Sequence, residues 1–129
     1  MSEHKAAQGH ANLERALARL ERALASRADD EFRLEIVVKL FEIAYELSWK
    51  TLRQDLANDG RIVGSPHAVF VAVYDSGWIE DDQVWFDMIN DRNVTVHTYR
   101  QDEIEAVVSR VPSYLLAMRA VHDLLKRDF

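Results

Sequence analysis

An arginine, an asparagine, a threonine and a histidine crowd one short stretch, Asp91-Arg92-Asn93-Val94-Thr95-Val96-His97-Thr98-Tyr99. Histidine moves protons near neutral pH. Arginine holds a phosphate and stabilises the extra negative charge of a phosphoryl transition state. His97 and Arg92 together therefore suit metal-free RNA cleavage, in which the 2′-hydroxyl attacks its own phosphate. Asn93 could orient either group, and Thr95 could hydrogen-bond the phosphate.

Spacing limits what one copy of this stretch can do. At about 3.6 residues per turn, positions five apart lie roughly 140° around a helix. Arg92 and His97 do not share a face, whereas Asn93 and His97 do, and Arg92, Thr95 and Tyr99 form a second row. Two copies facing each other across a dimer axis would complete a site that one helix leaves loose, so a homodimer is expected. The bland alternative is an Arg92 paired with Asp87, Asp91 or Glu80 and a His97 favoured at a helix C-terminus by the dipole.

A second group, Tyr45, Glu46, Trp49, Lys50 and Arg53, recurs at helical spacing upstream. Glu46 and Lys50 can pair at i, i+4, and Trp49 and Arg53 can stack. Lys50 and Arg53 are candidate contacts for RNA or phosphate. The alternative is a core tryptophan beneath a solvated face.

Other chemistries find no support. The chain has no cysteine, so neither a disulfide nor a thiolate ligand is available. His4, His10, His67, His97 and His122 lack a ligand spacing such as H-x-x-x-H, so no metal site and no cofactor are expected. No glycine-rich phosphate loop and no Gly-Ser…Asp-x-Asp pattern occur, so the chain is not expected to transfer nucleotides itself. A net charge of −6 argues against broad nucleic-acid binding. An RNA substrate would need a local basic cleft, built from more than one subunit.

The elements that must position these residues read as helices throughout. Four glycines and two prolines are few for 129 residues. Leu13, Leu17, Leu20 and Leu24 make one apolar stripe in a helix over about Lys5 to Ala25. Asp29 and Asp30 offer a cap for a long helix from Glu31 to about Asn58, closed by Gly60. Its apolar set, Phe32, Ile36, Val37, Leu40, Phe41, Ile43, Ala44, Leu47 and Leu52, is wide enough for packing on two sides. Ser65-Pro66 starts a short helix to Asp75, which Gly77 closes. Asp81 or Asp82 caps a fourth helix to about His97, with Trp85, Met88, Ile89 and Val96 inward. A fifth runs from about Asp102 to Lys126, and Pro112 should kink or split it. Beyond Pro112 the stripe resumes with Tyr114, Leu115, Met118, Val121, Leu124 and Leu125. Four or five helices with short connections predict an all-α antiparallel bundle, one domain over residues 1–129. No apolar run approaches the roughly 18 residues of a membrane span, and the N-terminus lacks the apolar core of a signal peptide. The expected location is the cytoplasm.

Two strings carry a family resemblance. Asp87-Met88-Ile89-Asn90-Asp91-Arg92-Asn93-Val94-Thr95-Val96-His97-Thr98-Tyr99 closely resembles the HEPN signature R-x(4–6)-H, here with four intervening residues and followed by x-Y. Phe41-Glu42-Ile43-Ala44-Tyr45-Glu46-Leu47-Ser48-Trp49-Lys50-Thr51-Leu52 is similar to the HEPN branch called nucleotidyltransferase substrate-binding proteins. Ser65-Pro66, Gly77-Trp78-Ile79 and Trp85 fall where that branch has similar residues, so the likeness covers roughly residues 10 to 127.

The resemblance implies an up-and-down helical bundle that dimerises and works beside a minimal nucleotidyltransferase (MNT) in a toxin–antitoxin pair. It implies that Arg92 and His97 are the catalytic pair of a metal-independent endoribonuclease, with Asn93 as the polar residue after the arginine. It marks Tyr99 as the tyrosine to which the transferase adds AMP, against the plainer possibility that Tyr99 packs on the next helix. The same branch is also described as a substrate-binding subunit of the transferase with no activity of its own, and the two alternatives stay open here.

Overall fold

The structure, a computed structural model, describes residues 2–26, 32–98 and 100–126, with side chains from residue 5 onward. The Asp29–Asp30 cap and Tyr99 lie outside the described residues. Five helices follow one another: α1 (Ser2–Leu24), α2 (Arg33–Asn58), α3 (Pro66–Asp75), α4 (Asp82–His97) and α5 (Gln101–Lys126). They form an up-and-down antiparallel bundle, and no strand occurs among the described residues.

α2 is the central element, packed against each of the other four helices. Val37, Phe41, Ala44, Leu52 and Leu56 are buried along it, and they meet Leu13, Leu17 and Leu20 of α1 in one core. Phe70 of α3, Trp85 and Met88 of α4, and Val111, Tyr114 and Met118 of α5 complete that core. Phe41 stacks on Tyr114 at 5.6 Å, and Phe70 lies 5.0 Å from Trp85. No described helix is long and apolar enough to cross a membrane.

The helix ends explain the short connections. Gly60 takes φ +85°, its N–H bonds the Ala57 carbonyl, and the Arg61 N–H reaches back to Leu56 at 2.8 Å. Gly77 repeats the arrangement at φ +75°, with Trp78 N–H on the Val73 carbonyl. Both are left-handed C-terminal caps, a conformation that glycine adopts without strain. Ser65 Oγ accepts from Ala68 N–H ahead of Pro66, and Asp81, rather than Asp82, caps α4 by accepting from Gln83 N–H.

Three expectations need correction. α5 runs unbroken through Pro112, so the proline does not split it. The ring sits on an exposed face, and the helix forgoes one backbone donor there. Phe32, Ile36 and Ile43 are exposed by 55%, 47% and 37%, so part of the wide apolar set of α2 faces away from the core. Val96 and Leu124, expected inward, are also exposed. On an amphipathic helix these positions fall at the margin of the buried stripe, where periodicity alone does not separate core from surface.

Candidate functional site

Arg92 sits two-thirds of the way along α4 and reaches across to α2. Its Nη2 pairs with Glu46 Oε1 at 3.5 Å, with both side chains about one-third exposed. The ion pair therefore joins α2 to α4, in place of Asp87, Asp91 or Glu80. Thr95, one turn on, donates from Oγ1 to Glu42 Oε2 at 3.1 Å, and the same hydroxyl lies 2.9 Å from the Arg92 carbonyl. Arg92 and Thr95 thus share the row expected of them. Arg92 Nε is buried and finds no hydrogen-bond partner among the described residues.

Asn93 and His97 lie on the exposed side of α4, and His97 occupies its last turn. Among the described residues, no hydrogen bond or ion pair joins Arg92 to His97. α4 stays helical through His97, which holds the two on different faces. One copy of the chain therefore carries both groups on one helix without bringing them together.

What fixes Arg92 is its neighbour. Asp91 is buried, and it accepts a two-pronged bond from Arg110 of α5, at 2.7 Å to Nε and 2.9 Å to Nη2. It also accepts from the buried Tyr114 hydroxyl. Arg110 and Tyr114 stand one turn apart on α5, so together they clamp the middle of α4 to it. Burial, and then the hydrogen bond to Asp91, push the Tyr114 phenol well above its ordinary value. The hydrogen bond to Asp91 likewise raises Arg110 above the usual guanidinium range.

The α2 wall is set by Glu42 and Glu46. Trp49 is buried, and its indole N–H donates to Glu46 Oε2 at 3.1 Å. Lys50 lies 3.5 Å from the same oxygen, and the Arg53 guanidinium lies 4.9 Å above the Trp49 ring. Lys50 and Arg53 are exposed cations on this wall, while the tryptophan beneath them is core. Burial pushes the Tyr45 phenol up to about 12, Glu46 adds to the rise, and Arg92 offsets part of it.

Between the walls lies a recess of about 420 Å³, lined by Lys39, Glu42, Ile43, Glu46, Leu47 and Arg92. It joins two cations, Lys39 and Arg92, to a carboxylate pair at the edge of an apolar surface. A second groove, of about 450 Å³, lies between α4 and α5 around Trp78, Trp85 and Leu124. Its charged lining is Glu80 and Asp81, which offers an anion nothing. Sequence reasoning did not bring Glu42 to the site. The available signal was a pair of acids one turn apart on the central helix, Glu42 and Glu46, which share one face.

Comparison with known proteins bears on the family and the fold. The family model described as nucleotidyltransferase substrate binding protein like matches residues 8–127. A solved structure from Thermus thermophilus is 28% identical, with TM-score 0.80, over 84% of this chain and 94% of that one. A Haemophilus influenzae structure, said to reveal the fold of a substrate binding domain of a nucleotidyltransferase, is 25% identical with TM-score 0.75, over 88% and 96%. The tri-AMPylated Shewanella oneidensis HEPN toxin in complex with MNT antitoxin is 17% identical with TM-score 0.76, over 93% and 95%, a likeness of fold. No curated protein matches the sequence closely.

Proposed function

The chain belongs to the nucleotidyltransferase substrate binding protein like family, and from that premise we propose that it is the HEPN toxin-like component of a HEPN/MNT pair. In this role it is a metal-independent endoribonuclease neutralised by its nucleotidyltransferase partner, and residues 1–129 act as one domain. His97 is the general acid/base, Arg92 holds the scissile phosphate, and Asn93 orients them. Thr95, Lys50 and Arg53 contact the RNA backbone, and Tyr99 is the acceptor of AMP from the transferase.

The observation that carries the proposal is the placement of Arg92. It stands at the mouth of a recess, on the helix that ends in an exposed His97, with one guanidinium donor unfilled. That Nε is buried, so a phosphate oxygen would meet the guanidinium at its partly exposed Nη groups. Because a single α4 keeps Arg92 and His97 on different faces, the working site is composite, with α4 of a second copy opposite the first. Ile36, Ile43 and Val96 expose apolar surface beside it, which supports a homodimer.

The ion pair from Arg92 to Glu46 favours a second role, a non-catalytic substrate-binding or regulatory subunit of the transferase. An arginine already neutralised by a carboxylate binds an anion only by exchange, and a chain of net charge −6 suits a basic protein surface better than free RNA.

Cleavage of labelled total RNA in excess EDTA separates the two. Wild type is expected to cut, and His97→Ala to cut roughly 10²–10⁴-fold more slowly. Absence of cleavage by a folded dimer whose Tyr99 mass spectrometry shows to be unmodified would rule out the ribonuclease and leave the transferase-subunit role.

A further inference from the structure

Two histidines 112 positions apart in sequence meet inside the bundle. His10 of α1 and His122 of α5 are both buried, with ring centroids 5.1 Å apart and Nδ1 atoms at 3.0 Å. His10 Nε2 lies 2.9 Å from Asp55 Oδ2 of α2, and His122 Nε2 lies 2.8 Å from Glu14 Oε2 of α1. Gly9 makes the approach possible, since a Cβ there would come within 3.2 Å of Thr51 Oγ1 on α2. The functional site uses none of these residues.

The bonds fix the proton count. A bond between two Nδ1 atoms holds one hydrogen, donated by one ring and accepted by the other. Each Nε2 faces a carboxylate, so each of those contacts also holds one. Three protons therefore satisfy all three contacts. A fourth must go to the accepting Nδ1, where it faces the donor's own N–H and places two cations in stacked rings.

Charged groups on three helices face the pair. On α1 and α2, Glu14 and Asp55 each hold a ring nitrogen, and Asp55 Oδ1 is buried with no hydrogen-bond partner among the described residues. On α5, Arg119 lies 3.2 Å from Glu14 and 3.6 Å from Glu21, and Lys126 lies 3.2 Å from Asp123. With these groups the cluster carries one net negative charge with one imidazolium and none with two, so what opposes the fourth proton is the pair of facing Nδ1 hydrogens and not the net charge.

We propose that His10 and His122 form an acid-opened clasp, in which a second imidazole proton breaks the Nδ1–Nδ1 bond and releases the N-terminal half of α1 from α2 and α5. Burial, more than the proximity of His10 and Lys126, lowers His122 below its ordinary value of 6.5, although Glu14 opposes the shift. The sign follows by linkage. Below about pH 6.5 the unfolded or opened chain binds this proton before the closed one does, so the clasp stabilises above that pH and weakens as pH falls through the lowered value. Glu14 adds to this only at more acid pH. Burial raises its carboxyl, but the hydrogen bonds from Arg119 and His122 outweigh that and hold it low.

The test follows the ring nitrogens by NMR and backbone amide exchange together, on the full chain between pH 7.5 and 5. At pH 7.5 the expected spectrum holds one imidazole proton shared between the two Nδ1 atoms. As that signal is lost on acidification, opening of α1 around His10 should rise by up to about tenfold per pH unit, with central α2 amides unmoved. His122→Gln keeps a neutral donor and acceptor, and should remove the acid dependence of α1 while leaving exchange at pH 7.5 near wild type. Two rings that titrate independently near 6.5, or a His122→Gln variant with unchanged acid dependence, would overturn the clasp. If the variant fails to fold, the wild-type ring signals alone decide the matter.

Discussion

Asp91 shows how one residue sets a site it does not line. Its carboxylate receives a guanidinium fork and a phenol hydroxyl, all from α5, and the next residue along α4 is Arg92. Replacing it by asparagine leaves the buried Tyr114 hydroxyl badly paired, while Arg110, whose side chain is 48% exposed, can turn to water. The cost is therefore below the 3–5 kcal/mol of a wholly buried broken pair. Asp91→Asn should destabilise by about 2 kcal/mol in urea titration. Arg110→Met should lose less, roughly 1 kcal/mol, because Tyr114 keeps its acceptor. Equal losses would mean that the ion pair, and not the phenol bond, holds α4 in place. This clamp was not legible in the sequence, because Asp91 and Arg110 belong to different helices and no local pattern links them. The same holds for His10 and His122. Arg92, Thr95 and His97, by contrast, could be placed from spacing alone, since one helix fixes their rows.

The helices themselves could be read from stripes and punctuation. Leu13, Leu17 and Leu20, the Ser65-Pro66 start, and the Gly60 and Gly77 stops each act within a turn or two, which is the range over which sequence determines local structure. At Pro112 the structure departs from the expectation because the local cost of a proline is opposed by the packing around it. Val108 and Val111 before it, and Tyr114 and Leu115 after it, are all buried in the same core, and their burial holds the helix together across the missing bond. Since the Pro112 ring is exposed, its removal disturbs no packing. Pro112→Ala restores a donor to the Val108 carbonyl and improves helix propensity, so it should stabilise the bundle by about 1–3 kcal/mol. Thermal melting reads this directly. A lower melting temperature would mean that α5 relies on the altered geometry the proline imposes.

At the scale of the whole molecule, the apolar surface that α2 leaves uncovered bears on assembly. Ile36, Leu40, Ile43 and Leu47 recur at steps of four, three and four, so they form one stripe, and its Ile43–Leu47 end lines the recess of Arg92. Val96 adds exposed apolar surface on α4. A stripe facing inward would be core. Here Leu40 and Leu47 pack partly against the core while Ile36 and Ile43 stay exposed beside charged groups, which is the composition of an interface, an apolar centre rimmed by Lys39, Glu42 and Glu46. Under two-fold symmetry, Lys39 of one copy can meet the glutamates of the other, which gives charges of both signs a partner. Ile36 is 47% exposed, so Ile36→Glu should change the stability of the isolated fold by no more than about 0.5 kcal/mol. Placing a carboxylate at the centre of an interface should instead convert a dimer to a monomer in sedimentation. If the ribonuclease site is composite, the monomer loses RNA cleavage while keeping its helical spectrum and its His97. A variant that stays dimeric would move the interface off α2, and a monomer that still cuts RNA would mean that one chain brings Arg92 and His97 together by itself.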